Sequence, residues 1–152
     1  MKLSREFTNG VIIFVLIGAY FLLLEVLGWA DQFYLRLLNL FIVVYGVNRT
    51  LTANYKDNMQ GYFTNLMSAF RTAMIGAVLG LISLMVYIHI KGGGPYIHQL
   101  SKGFLFGGGD PTVFEYSVGL ALEATAGSMI ISYCLMQYWK NKFETINKVD
   151  RK

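Results

Sequence analysis

Residues 7–24 read FTNGVIIFVLIGAYFLLL, and residues 72–90 read TAMIGAVLGLISLMVYIHI. Neither stretch contains an aspartate, glutamate, lysine or arginine, and charged residues flank each of them on both sides. A helix that crosses the hydrocarbon core of a bilayer needs roughly 20 mostly apolar residues. Both stretches therefore have the length and the composition of membrane spans.

The composition of the whole chain agrees with this interpretation. The chain has 152 residues, of which 55% are hydrophobic and 14% are charged, and its mean hydropathy is +0.46. Soluble domains typically carry about 25% charged residues, so a water-soluble globule is excluded. The single cysteine and the two histidines argue against a disulfide framework and against a Cys/His metal cluster. We expect no metal and no cofactor.

Two further spans follow from the remaining uncharged intervals. Residues 116–139 contain only one charged residue, Glu123. Residues 37–48 are too few to span, so the second span reaches sufficient length only if it carries Arg36 inside it. The sequence thus predicts a single all-α domain, residues 1–152, that is an integral membrane protein with four transmembrane helices in two hairpins. These helices are expected at about 8–30, 32–51, 64–90 and 112–140.

The loop at 91–111 connects the two predicted helices of the second hairpin. It is bracketed by glycine triplets at 92–94 and 107–109, and the residues between them mix aromatic, aliphatic and polar side chains. We interpret this segment as a short amphipathic element at the membrane surface. It is either a plain connector or a lid or docking loop. Thr112 and Glu115 have the spacing of a capping box at the start of the last helix.

The distribution of basic residues predicts the orientation. With both termini in the cytoplasm, ten of the thirteen lysines and arginines lie inside, and only Arg36, Lys91 and Lys102 lie outside. Such an excess is what the positive-inside rule describes. The basic segment 140–152 is then a cytoplasmic tail. The net charge of +4 is explained by topology, and we expect no nucleic-acid partner.

Small residues recur at helical spacing in two of the predicted helices. The third helix contains Gly76 and Gly80, and the fourth contains Gly119 and Gly127. Small residues four apart allow helix backbones to approach closely in lipid. We expect close helix packing at these positions, either within the chain or with a second subunit.

Four polar residues are expected within the predicted spans. In the proposed topology Glu25, Arg36 and Glu123 lie at similar depth, and Asn39 lies one turn below Arg36. A lone ionised group in lipid costs several kcal/mol, so these side chains should find partners. The cluster is either a buried ion-pair network that fixes helix register or a relay for protons or cations, or a polar substrate site.

No catalytic arrangement is recognisable in the sequence. His89 and His98 have no cysteine and no carboxylate pair near them in sequence, and Cys134 lies in an apolar helix where packing is its usual role. General acid–base and nucleophilic catalysis both need paired groups. We expect the protein not to be an enzyme.

The middle of the chain carries a resemblance to known proteins. An apolar span ends in VNR at 47–49, the polar link NYKDN follows at 54–58, and GYF at 61–63 leads into SAFRTAMIG at 68–76. This region, about residues 38–90, resembles an uncharacterised family of small bacterial inner-membrane proteins with four predicted helices. The resemblance implies a multi-pass protein of the bacterial cytoplasmic membrane. It transfers no catalytic or ligand residue.

Two functions are compatible with these observations. The first is a non-enzymatic accessory or interaction subunit of a larger membrane complex, whose partners are membrane lipid and either other membrane subunits or further copies of the chain. The alternative is a small homo-oligomeric transporter or channel with a polar site around Glu25, Arg36 and Glu123.

Overall fold

The computed structural model describes residues 4–30, 32–101 and 111–149. The glycine triplet at 107–109 and the last three residues of the predicted cytoplasmic tail lie outside these ranges. The described residues form six helices and no strand. They are α1 Arg5–Val26, α2 Phe33–Arg36, α3 Asn39–Lys56, α4 Tyr62–Ile90, α5 Gly94–Ser101 and α6 Val113–Val149.

The all-α class is confirmed, and three of the described helices are long and apolar enough to cross a membrane. These are α1, α4 and α6. The predicted second helix at 32–51 is instead two helices, because the α-helical hydrogen bonds are interrupted at Leu37 and Leu38; the backbone stays in the right-handed helical region there, with hydrogen bonds three residues apart. With 18 residues, α3 contains several amides, hydroxyls and basic side chains and is less apolar than the other three long helices.

The helix ends differ from the predicted ones by a few residues. Helix α1 begins at Arg5 because the Ser4 hydroxyl accepts a hydrogen bond of 3.2 Å from the Phe7 amide. The capping box of α6 is present, since Glu115 Oε2 accepts from the Thr112 amide at 2.8 Å and Thr112 Oγ1 accepts from the Glu115 amide at 3.2 Å. Helix α6 then continues to Val149, so the segment predicted as a tail from residue 140 is helical as far as it is described.

Helices α3 and α4 occupy the middle of the bundle, and each contacts both α1 and α6. Ile13 of α1 is fully buried in the main hydrophobic cluster. A Cβ atom at Gly46 would lie 2.3 Å from Ile13 Cγ1, and one at Gly76 would lie 2.8 Å from Ile13 Cγ2. Glycine is therefore needed at both positions for α3 and α4 to approach α1 this closely.

We call the end of the bundle that contains Arg5 the N-terminal end, and the opposite end the α5 end. At the α5 end, Ile97 and Leu100 of α5 are buried in a second hydrophobic cluster with Ile88 and Tyr116. Helix α5 thus packs its apolar side onto the ends of α4 and α6. It lies within the segment that the sequence predicted to be an amphipathic element.

Candidate functional site

Glu25 lies near the end of α1 and is surrounded by residues of α4 and α5. The Tyr96 hydroxyl donates to Glu25 Oε2 at 2.6 Å, and the Tyr87 hydroxyl donates to Oε1 at 3.3 Å. Lys91 Nζ lies 3.5 Å from the same Oε1 atom. The carboxylate therefore has three partners, all at the α5 end, and the sequence indicated none of them.

The surroundings of Glu25 also affect the titration of two groups outside the long apolar helices. Burial, followed by the hydrogen bond to Glu25, raises the pKa of the Tyr96 hydroxyl well above its usual value. Interaction with Tyr87, and then with the Glu25 carboxylate, raises the pKa of Lys91. Tyr96 thus remains a proton donor and Lys91 a cation throughout the neutral range.

Arg36 has a separate environment. Its Nη2 atom donates to the Tyr116 hydroxyl at 2.7 Å, and no ion pair joins Arg36 to Glu25 within the described ranges. Asn39 lies at the start of α3, where its Oδ1 atom is buried and accepts no hydrogen bond from any described residue. Arg36 and Glu25 are therefore each satisfied by tyrosines rather than by each other.

Glu123 lies on the outer surface of α6. It is exposed, and it makes no hydrogen bond or ion pair with the part of the chain that the structure describes. The exposed face around it is apolar. Its large members are Val118, Leu122, Met129, Ile130 and Tyr133. We call this surface, with Glu123, the Glu123 face.

The four glycines expected at packing positions have different surroundings. Gly76 is buried and in close contact with α1, since a Cβ there would also lie 3.1 Å from the Gly10 carbonyl oxygen. Among the described residues, nothing lies within 4 Å of such a Cβ atom at Gly80 or Gly127. Gly119 is half-buried. The close packing within the chain thus involves Gly76, whereas Gly80 and Gly127 leave open space.

A hydrogen-bonded network at the N-terminal end was not anticipated from the sequence. Its central residue is Asn54, which is fully buried. Asn54 Nδ2 donates to Asn65 Oδ1 and to Ser68 Oγ, both at 3.0 Å, and Asn54 Oδ1 accepts from Arg5 at 2.8 Å. Ser68 in turn donates to Glu6 Oε1 at 2.8 Å. Helices α1, α3 and α4 are thus joined through one amide.

The network has two extensions. Arg5 forms an ion pair with Asp57 at the end of α3. Deeper in the bundle, Asn9 Nδ2 donates to Thr50 Oγ1 at 2.9 Å, and Thr50 lies 3.0 Å from Thr72 Oγ1. Thr50 and Asn54 are one turn apart on α3 and face α4, a periodicity of buried polar residues that could have indicated the network.

The network consists of amide, hydroxyl and charged side chains that hold α1, α3 and α4 together. No group of three or more His, Cys, Asp or Glu side chains comes together among residues 4–30, 32–101 and 111–149 in a way that could hold a metal ion. Cys134 is exposed on α6. His89 and His98 are exposed at the α5 end.

No family model, curated protein or solved structure is detectably similar to this chain.

Proposed function

We propose that the protein is a non-enzymatic accessory or interaction subunit of a larger membrane complex, and that the Glu123 face of α6 is the surface that binds its partner. The observation that carries the proposal is the exposed carboxyl group of Glu123 in a helix that is otherwise apolar enough to span a membrane. Glu123 follows the start of α6 by ten residues, or about 15 Å along the helix. This places the carboxyl group within the thickness of the hydrocarbon core.

The energetics favour a partner for this face. An unpartnered ionisable group in lipid costs several kcal/mol, and such groups almost always face protein or water. Gly127, one turn after Glu123, has open space around it, so a second helix can approach closely at that point. A partner helix with a hydroxyl, amide or basic side chain opposite Glu123 would satisfy the carboxyl group.

The proposal includes four spans and cytoplasmic termini. Residues 33–56 contain α2 and α3 and together are long enough to cross a bilayer at about 1.5 Å per residue. The hydrogen bond from Arg36 to Tyr116 supports a position inside the bundle for this residue. The excess of lysine and arginine on one side supports the orientation, and the resemblance of residues 38–90 supports the bacterial inner membrane.

The alternative, a homo-oligomeric transporter or channel, has one observation in its favour. Asn39 Oδ1 is a buried acceptor without a hydrogen-bond donor among the described residues, and it lies three residues after Arg36. A transport pathway past Asn39 would include the polar side chains at the α5 end of the bundle. Glu123 makes no contact with them in the described structure, so the proposed transport site would consist of Glu25, Arg36 and Asn39 within one copy.

Native mass spectrometry of the protein, extracted from its own membranes in mild detergent at native expression, tests the proposal. We expect a stoichiometric complex with a different membrane protein. Gly127→Leu should lose that partner, since the side chain occupies the space that the second helix needs. Gly18→Leu is the matched control, because Gly18 of α1 also has nothing near it.

Recovery of the partner with Gly127→Leu would show that the Glu123 face is not the interface. A bare monomer from wild-type membranes would overturn the assignment as a subunit. A complex of identical chains would favour the transport alternative, which ion or solute flux in liposomes would then examine.

A further inference from the structure

A polar groove runs along the exposed side of α3 near the N-terminal end of the bundle. The groove is a shallow depression open to the surface, with a volume of about 370 Å³, and six residues of α3 line it. They are Tyr45, Asn48, Arg49, Thr52, Ala53 and Lys56. The network around Asn54 lies on the opposite, buried side of the same helix. The groove is therefore a feature separate from the polar network and from the Glu123 face.

The groove is positively charged. Arg49 and Lys56 lie seven residues apart on one side of α3, both are exposed, and neither forms an ion pair with a residue that the structure describes. No carboxylate lines the groove. Asp57, adjacent to Lys56 in sequence, is paired with Arg5. The Arg49 and Lys56 side chains are therefore available to bind an anion.

The uncharged groups of the groove add hydrogen-bond donors. Asn48 Oδ1 accepts from Trp139 Nε1 at 2.9 Å, which fixes the side-chain amide and leaves its NH₂ group as the part that can serve a ligand. Lys142 Nζ lies 4.3 Å from the centre of the Trp139 ring, on the α6 side. Donors and cations around one cavity suit the oxygens of a phosphate group.

The same side of α3 changes character along its length. Toward the α5 end, the positions one, two and about three turns before Arg49 are Tyr45, Phe41 and Leu38, with exposed fractions of 54%, 72% and 44%. One side of one helix thus presents an apolar strip followed by a cationic groove. When the phosphate of a lipid lies in the cationic groove, its acyl chain lies along the apolar strip.

We propose that this groove binds the phosphate of an anionic phospholipid headgroup, with an acyl chain along Tyr45, Phe41 and Leu38. Charge complementarity and the continuous apolar strip select a phospholipid over a free anion. The inference depends on the membrane location of the protein but not on the Glu123 face, so either can fail without the other.

The test is native mass spectrometry of the full chain in mixed micelles with equal amounts of phosphatidylcholine and phosphatidylglycerol. We expect the wild-type protein to retain phosphatidylglycerol selectively. Removing one basic residue near the surface of a membrane weakens anionic-lipid binding about fivefold, so Arg49→Gln should lose about that factor and adding Lys56→Gln should lose more. Arg49→Lys should retain most of the binding.

Arg71→Gln is the matched control. Arg71 is an exposed cation on α4, nine residues after Tyr62, and Arg49 is seven residues before Lys56; Tyr62 and Lys56 are the helix ends at the N-terminal end of the bundle. It does not line the groove, so its removal should leave lipid retention unchanged. Each variant is checked by its unfolding transition, and the single variants decide the matter if the double variant does not fold.

Three results would overturn the proposal. Equal retention of phosphatidylcholine would show that the site does not select charge. An equal loss in Arg71→Gln would show that only the overall charge matters. Displacement of the lipid by millimolar inorganic phosphate would identify a site for a soluble anion.

Discussion

The N-terminal end of the bundle and the Glu123 face of α6 both place polar side chains in apolar helices, with opposite results. Asn54 has partners on α1 and α4, whereas Glu123 has none among the described residues. A buried amide whose hydrogen bonds are all made fixes the register of three helices. The carboxyl group of Glu123, exposed on an apolar surface, joins no helices within the described part of the chain.

The glycines of the two regions differ in the same way. Gly10 of α1 is buried, and a Cβ atom there would lie 2.7 Å from Ile75 Cβ and 3.1 Å from the Thr72 carbonyl oxygen. Gly127 of α6 would meet nothing. The α1–α3–α4 contact is already formed within one chain, and the outer face of α6 has room for another helix.

The largest effect should come from removing the central amide of the network. Asn54→Ala removes the hydrogen bonds that join Asn54 to Asn65, Ser68 and Arg5, one of which involves a charged group. We expect the free energy of unfolding to fall by about 3 kcal/mol. Titration with sodium dodecyl sulfate in mild detergent measures it. Gln137→Ala, an exposed amide on α6, should change it by less than about 0.5 kcal/mol; equal effects would mean that the network does not stabilise the fold.

A smaller effect is expected from adding a methyl group in the close helix contact. Gly10→Ala forces α1 away from α4 and should destabilise the protein by about 2 kcal/mol. Gly18→Ala, two turns later on the same helix in open space, should be neutral or stabilising by up to about 1 kcal/mol because alanine favours helix. The same unfolding titration compares the two variants. A neutral Gly10→Ala would contradict the close approach of α1 to α4.

The smallest effect concerns the α5 end. Tyr96→Phe removes the hydrogen bond to Glu25 and should cost about 1 kcal/mol. Since the pKa of Tyr96 is raised in the folded state, the stabilising contribution of the hydroxyl is complete below its unfolded pKa of about 10 and is lost as the pH rises through the folded value. The difference between wild type and Tyr96→Phe should therefore be constant from neutral pH to about pH 9 and shrink above about pH 10. A difference that changed around neutral pH would identify another titrating group as its source.

The uncharged stretches at 7–24 and 72–90 were sufficient to predict the all-α class and two of the three apolar helices. An apolar stretch of spanning length can be identified from the sequence without knowing any tertiary contact. The division between α2 and α3 could not be predicted, since Leu37 and Leu38 carry no turn signal such as glycine or proline.

The polar contacts were harder to predict because their partners are distant in sequence. Arg5 and Asn54 are 49 residues apart, and Arg36 and Tyr116 are 80 residues apart. Similar depth predicted that Glu25 and Arg36 meet each other, but depth does not determine which side of a helix a residue occupies. Tyrosine hydroxyls contact Glu25 and Arg36 instead.

The length of α6 has a mechanical consequence. Its 37 residues extend over about 55 Å at 1.5 Å per residue, while the hydrocarbon core of a bilayer is about 30 Å thick. A helix that starts at one membrane surface therefore extends about 25 Å beyond the other surface, and Met136, Trp139 and Phe143 pack this part of α6 against the rest of the bundle. Neighbouring helices thus hold α6 in place as far as Phe143, so that the orientation of its end is set by the bundle.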